Sequence, residues 1–445
     1  MNQFWSFPLQ KTVENTERLV REHIRPQDVS EWFQLYSEHA PTSSNQGTAN
    51  LPFQRWFHFK EAFSPKFVAD TLGSLPYKVD HCTDPFSGSG TTALTCKMLG
   101  ISSEVIEVNP FLADLADAKL SGAKPASFLK DYEKVLASLD ILPEDEALTE
   151  GMPLSFAPPG IKGRYIFDKD VYRTARAINR VANNLPTQHG RLLRVLLGSV
   201  LVENSNVSIN GKGRRYRKNW ENRTKNPNDL ICSLDHAVDT ALSDLTRFSG
   251  IPASKSTVHR GDARYALARI KQSDVAIFSP PYPNSFDYTD VYNIELWMLG
   301  YLTSAQDNTK LRKNTLRSHV QTKWNASKDQ VQSKSLEEVV SALQDARKDL
   351  WNRNIPEMIG FYFHDLFTIF HHLHRILKPK HHAIVAIGDS QYAGIHIDVA
   401  KILSECISQL GFRLVEQGAI RSMRTSSQHG GEFLLSEHCL VFERL

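Results

Sequence analysis

Cysteine is scarce and scattered. Five thiols stand among 445 residues, at Cys82, Cys96, Cys232, Cys406 and Cys439, and no two form a C-x-x-C pair. That pattern excludes a disulfide-stapled scaffold and a zinc ribbon, and it fits reduced core thiols. Apolar runs long enough to span a bilayer are missing too. The start, Met1-Asn2-Gln3-Phe4-Trp5, lacks a basic segment leading into an apolar stretch. No secretory leader and no membrane partner are expected, and the chain reads as cytoplasmic. Net charge is nearly absent, with 52 Lys and Arg against 49 Asp and Glu. Global charge therefore neither supports nor excludes a nucleic-acid partner; local distribution has to carry that argument. His371, His372, His374, His381 and His382 flank a helix end without an acid or cysteine at ligand spacing. They read as cations favoured by a helix C-terminus, and no metal is expected.

What the chain does have is chemistry at the ends of apolar runs. Ser279-Pro280-Pro281-Tyr282 closes the run Asp274 to Phe278. This tetrapeptide suits the alkylation of an exocyclic amine on a nucleobase, a poor nucleophile because its lone pair is delocalised into the ring. Ser279 offers a hydroxyl oxygen as acceptor for the amine hydrogens. The Pro280 carbonyl offers a second, held by the restricted backbone of consecutive prolines. Tyr282 offers a flat face for a base taken out of its stack. A Pro-Pro turn closing a buried strand would account for the same residues.

Upstream stands Asp84-Pro85-Phe86-Ser87-Gly88-Ser89-Gly90-Thr91-Thr92-Ala93, between a short strand-like run and a helical pattern. Gly88, Gly90 and Ala93 fit a G-x-G-x-x-G/A turn, where missing side chains let a ligand approach the backbone. The next strand-like run, Glu104 to Ile106, ends in Glu107, followed by Val108 and Asn109. An acid at that strand end can hold both hydroxyls of a ribose. No Gly-Lys-Ser/Thr follows, which argues against a nucleotide triphosphatase.

Together these motifs resemble the amino-methylating DNA methyltransferases that use S-adenosylmethionine. The resemblance covers about half of the chain. It implies that Asp84, Pro85, Phe86, Gly88, Gly90, Thr91, Glu107 and Asn109 bind the cofactor. It also implies that Ser279, Pro280, Pro281 and Tyr282 position the target amine. An acid in Gly261-Asp262-Ala263 would meet the cofactor's adenine amino group, although Asp262 also suits a helix N-cap. Ser at the first motif position is typical of cytosine-N4 enzymes and Asp of adenine-N6 enzymes. Adenine N6, an amino group on RNA, and a non-catalytic cofactor- or DNA-binding subunit stay open. Double-stranded DNA is the implied partner, with a separate cognate restriction endonuclease as a further one.

Alternating strand and helix patterns predict an α/β chain. Strand-like runs end near Asp84, Glu107, Gly261, Ser279 and Gly388, and two more span Phe412 to Ile420 and His438 to Phe442. By resemblance this is a Rossmann-like class I methyltransferase: a mainly parallel seven-stranded sheet with one antiparallel strand, plus a largely helical insert. The expected divisions are an N-terminal helical extension (1–50), a cofactor-binding core part (51–124) and an inserted recognition region (125–255). A catalytic core part (256–302), a second insert (303–354) and a last core part (355–445) follow. Gly261-Asp262 falls after the first insert, whereas one class of the family has it before.

The first insert carries seven cations against one acid between Asn210 and Lys225. Lys212, Arg214, Arg215, Arg217 and Lys218, interleaved with Tyr216, are the candidate DNA ligands. A solvated basic loop is the plain alternative. Lys310, Arg312, Lys313, Arg317 and Lys323 form a second basic stretch. Tyr288 and Tyr292, just after Tyr282, either line the target pocket or pack a helix.

Overall fold

The computed structural model describes residues 50–59, 61–139, 151–210, 213–251, 255–322, 331–423 and 435–445. The expected extension up to residue 49 lies outside them, as do the acidic stretch Pro143 to Glu150 and the stretch Ser426 to Gly431, both of which the sequence predicts as loops.

Seven strands build one sheet: β1 (His81–Asp84), β2 (Ser102–Glu107), β3 (Ser256–Arg260), β4 (Ser273–Phe278), β5 (Leu377–Gly388), β6 (Phe412–Met423) and β7 (Leu435–Arg444). Their order across the sheet is β6-β7-β5-β4-β1-β2-β3. The pairs β1–β2, β1–β4, β2–β3 and β4–β5 are parallel. β7 alone runs the other way, antiparallel to both β5 and β6. The expected Rossmann-like sheet with one antiparallel strand is borne out. Chain order reverses between β1 and β4, so a crevice opens beyond their carboxyl ends. Asp84 ends β1 and Ser279 follows β4, which brings the two motifs to that crevice.

β4 is buried along its whole length, as a central parallel strand covered on both faces must be. Its side chains alternate: Val275 and Ile277 join one apolar core, Ala276 and Phe278 the other. The second core is closed by the helix Ile355–Ile376, whose Tyr362, Phe363, Leu366 and Phe370 are wholly buried.

The first insert contributes the helices Pro125–Ser138, Lys169–Ala182, Thr187–Leu201 and Pro227–Arg247, and shares the first core with the sheet. Its attachment includes polar hubs. Asp114, on the helix Pro110–Leu120, accepts from Arg191 at 3.1 Å, and from Arg194 and Arg260 at 2.7 Å each. Asp244 accepts from the Phe53 amide and the Trp56 indole, both at 2.9 Å, tying the segment before the glycine turn to Pro227–Arg247. Each carboxylate is buried, so losing one partner would strand the rest of its charge network.

Candidate active site

The crevice holds a cavity of about 360 Å³. Phe86, Gly88, Glu107, Asp262, Ser279 and Tyr282 all line it, although 195 positions separate Asp84 from Ser279 by their numbering, 279 − 84. Topology alone brings the motifs together, because both follow strands that end at the same edge of the sheet.

The glycine turn is built around the Glu107 carboxylate. One oxygen accepts from the Gly88 amide and the other from the Asn109 amide, each at 2.7 Å. Burial pushes Glu107 up to about 7, and those two amides pull against the shift. Asp84 below it is also pushed up to about 7 by burial, opposed by the Thr92 hydroxyl and the Phe86 amide. Asn109 caps the helix Pro110–Leu120, its side-chain oxygen accepting from the Phe111 amide at 3.0 Å. Pro85 and Thr91 line the cavity beside the turn.

Gly90 owes its identity to packing. It sits at φ +81°, and a Cβ there would lie 2.8 Å from the Ala116 Cβ. Helix Pro110–Leu120 can therefore approach the turn only if residue 90 has no side chain. Gly90→Ala is expected to cost about 1–3 kcal/mol through overpacking alone, read as a lowered midpoint in denaturant unfolding.

Asp262 caps the short helix Ala263–Ala266, accepting from the Arg264 amide at 2.9 Å. The Arg264 guanidinium also grips both carboxylate oxygens and reaches Asp365 at 2.9 Å. Arg317 meets Asp365 from the other side at 3.0 Å. Asp262 thus both caps a helix and faces the cavity.

At the Ser279–Tyr282 motif, Pro280 is buried, while Ser279, Pro281 and Tyr282 are half-buried at the cavity wall. The Ser279 hydroxyl donates to the Tyr282 oxygen at 3.3 Å. The Tyr282 hydroxyl in turn donates to Glu437. The sequence reading did not single out Glu437. Tyr288 lines the cavity, whereas Tyr292 packs behind it, stacked on Phe59 with centroids 5.6 Å apart and bonded to Glu61 at 2.7 Å.

The basic stretches divide. Val207–Asn210 and Gly213–Tyr216 pair as a hairpin whose second strand touches the segment Tyr288–Val291 beside the cavity. Arg214 lies over the Phe156 ring at 5.9 Å, and Arg215 and Lys218 are exposed. Arg217 is committed to the Val202 carbonyl at 3.0 Å. Lys212 and Lys323 lie outside the described residues. Arg312 binds Asp287 at 2.8 Å and Asp290, so it fastens the loop after Tyr282. Several of the grouped histidines also have local partners: His372 meets the Arg264 carbonyl at 3.0 Å, His381 the Asp274 carbonyl at 2.6 Å, and His382 the Tyr77 hydroxyl at 2.9 Å.

These residues fit S-adenosylmethionine: a carboxylate for a ribose diol, an acid beside an apolar wall for an adenine, and a turn open to main-chain contact. Strand order and glycine turn are those of the Rossmann-like class I methyltransferase fold. The chain is similar to the type II methyltransferase M.BsoBI of Geobacillus stearothermophilus, at 27% identity over 452 aligned positions covering 88% of this chain and 84% of that protein. It is similar to the type II methyltransferase M.AvaI of Nostoc sp. strain PCC 7120, at 25% identity over 404 positions covering 83% and 81%. The expected resemblance to DNA methyltransferases, and S-adenosylmethionine as methyl donor, are borne out. No protein-family model matches the chain. Among solved structures, the likeness to the rRNA methyltransferase aviRa of Streptomyces viridochromogenes has a TM-score of 0.27 at 10% identity, covering 86% of this chain and 85% of that one. So slight a likeness bears on nothing here, and the strand order carries the fold. Among the described residues no helix is long and apolar enough to cross a membrane.

Proposed function

We propose that the chain methylates the N4 amine of cytosine in double-stranded DNA. In this reading it is the modification half of a restriction-modification system, with a separate endonuclease as its counterpart. The observation that carries the proposal is Ser279, a neutral hydroxyl at the first position of a Pro-Pro-Tyr motif, on the same cavity wall as the Glu107 turn.

S-adenosylmethionine, when bound, supplies a methyl group on a positively charged sulfur. Glu107 would hold the ribose hydroxyls and Asp262 the adenine amine. Ser279 Oγ and the Pro280 carbonyl would accept the two hydrogens of the target amine, which moves its nitrogen toward tetrahedral geometry and frees its lone pair. Tyr282 gives the flipped base a ring to stack on. Arg312 fastens the loop after Tyr282 through Asp287 and Asp290. Fixing the amine in line with the methyl group supplies much of the rate.

Purified chain, labelled S-adenosylmethionine and duplex DNA test the reading, with the DNA digested to nucleosides and the product weighed. N4-methyldeoxycytidine is expected. N6-methyldeoxyadenosine would overturn the choice of base, and no labelled nucleoside would overturn the catalytic role.

The hairpin beside the cavity suits the DNA backbone, with exposed Arg215 on its second strand and exposed Lys218 just after it as the cations to test. Replacing both with Ala should weaken DNA binding and lower the slope of log affinity against log salt by roughly 0.9 per lost phosphate contact. S-adenosylmethionine affinity should not move. Arg217→Ala tests something else: it leaves the Val202 carbonyl without this donor, so its effect should appear in thermal stability.

A further inference from the structure

A serine hydroxyl has one hydrogen and two lone pairs, and it can serve the target amine only if its hydrogen points elsewhere. In this crevice something takes that hydrogen. Ser279 donates to the Tyr282 oxygen at 3.3 Å, and Tyr282 donates to Glu437. Both bonds run the same way, from Ser279 through Tyr282 to the Glu437 carboxylate oxygen. Glu437 is 1% exposed and lines the same cavity. It gets there through topology. β7 runs against its neighbours, so its first residues arrive at the edge where the parallel strands end. Glu437 pairs with Gly388, the last residue of β5.

We propose that Glu437 is a positioning residue for methyl transfer. Through Tyr282 it turns the Ser279 O–H away from the substrate and leaves the Ser279 lone pairs facing the amine. Glu437 touches no reacting atom. Its carboxylate makes a neutral serine act as a one-way acceptor, and it locks the Tyr282 ring at the angle on which the base stacks. Tyr282 therefore has two separable parts, a ring that stacks and an oxygen that transmits direction.

This inference rests on the amine-methylating reading, and the test separates the two. Single-turnover methylation of duplex DNA is measured for the wild-type chain, Tyr282→Phe, Glu437→Gln, Glu437→Ala and the double variant Tyr282→Phe/Glu437→Ala. Tyr282→Phe removes one oxygen and keeps the ring, so it remains informative even if Glu437→Ala unfolds the strand. The expected result is a loss on the order of tenfold in rate for Tyr282→Phe and for Glu437→Ala, with cofactor affinity unchanged. Glu437→Gln should keep most of the rate, because its amide oxygen still accepts from Tyr282. The double variant should lose no more than the worse single one, since both break one chain. A Tyr282→Phe variant at full rate, or losses that multiply in the double variant, would overturn the proposal while leaving the wild-type reading intact. Absence of transfer by the wild-type chain would overturn the reading and this inference with it.

Discussion

Ser279→Ala is expected to lower turnover by on the order of 10²-fold or more and to leave S-adenosylmethionine affinity unchanged. The size follows from position. Ser279 stands at the carboxyl end of β4, which is buried throughout and flanked by β1 and β5, so the hydroxyl cannot wander. A preorganised acceptor costs no rearrangement when the amine reacts, and its loss is felt in the rate and not in ground-state binding. The turn itself should survive, because the restricted Pro280-Pro281 backbone remains and Tyr392 still donates to the Pro283 carbonyl at 2.8 Å. Rapid-quench single-turnover kinetics alongside equilibrium cofactor binding would check this. A mutant methylating at near wild-type rate would remove Ser279 from the mechanism and leave Pro280 as the principal acceptor.

The strands were legible because each carries its chemistry at its end. β1 stops at Asp84, β2 at Glu107 and β4 just before Ser279, and punctuation of that kind marks a boundary that apolar content alone blurs. Other features were hidden for physical reasons. The hairpin from Val207 to Tyr216 has strands of only four residues, and Arg214 and Arg215 are both exposed, so the local pattern is that of a solvated loop. The helix Pro227–Arg247 buries Leu230, Leu234, Val238, Ala241 and Leu245 at helical spacing, but it follows directly on the basic run, whose charge dominates the local pattern. Arg312 and Arg317 look like nucleic-acid ligands by charge, and only the fold shows them opposite Asp287 and Asp365. Glu437 lies 155 residues from Tyr282, and no spacing rule joins an acid near the start of a C-terminal strand to a motif at the centre of the chain. The antiparallel direction of β7 makes that junction.

S-adenosylmethionine should bind more tightly as pH rises from about 6 to about 8, releasing a proton as it does, and Glu107 should be a principal source of both effects. Burial holds the unliganded Glu107 carboxyl up to about 7, against the pull of the Gly88 and Asn109 amides, and Asp84 is close enough to raise it further. Ribose hydroxyls donate to the ionised form, so below about pH 7 the proton must leave before the diol can be held. The affinity attributable to this group then falls by up to about tenfold per pH unit below that point. The sign for folding is the opposite. An acid raised above its ordinary 4.5 stabilises the unliganded fold fully below that value and loses the contribution as pH rises through about 7. Asp84, also near 7, acts in the same direction. Saturating cofactor should therefore raise the melting temperature more at pH 8 than at pH 6. Titration calorimetry in buffers of different ionisation enthalpy measures the released proton directly. Glu107→Gln should flatten the pH dependence, and Glu107→Ala should weaken binding by about 1.5–3 kcal/mol at high pH, the range for hydrogen bonds to a charged group. If Glu107→Gln keeps the full pH slope and the full affinity, another acid of the cavity holds the ribose, and Asp262 is the one to change next.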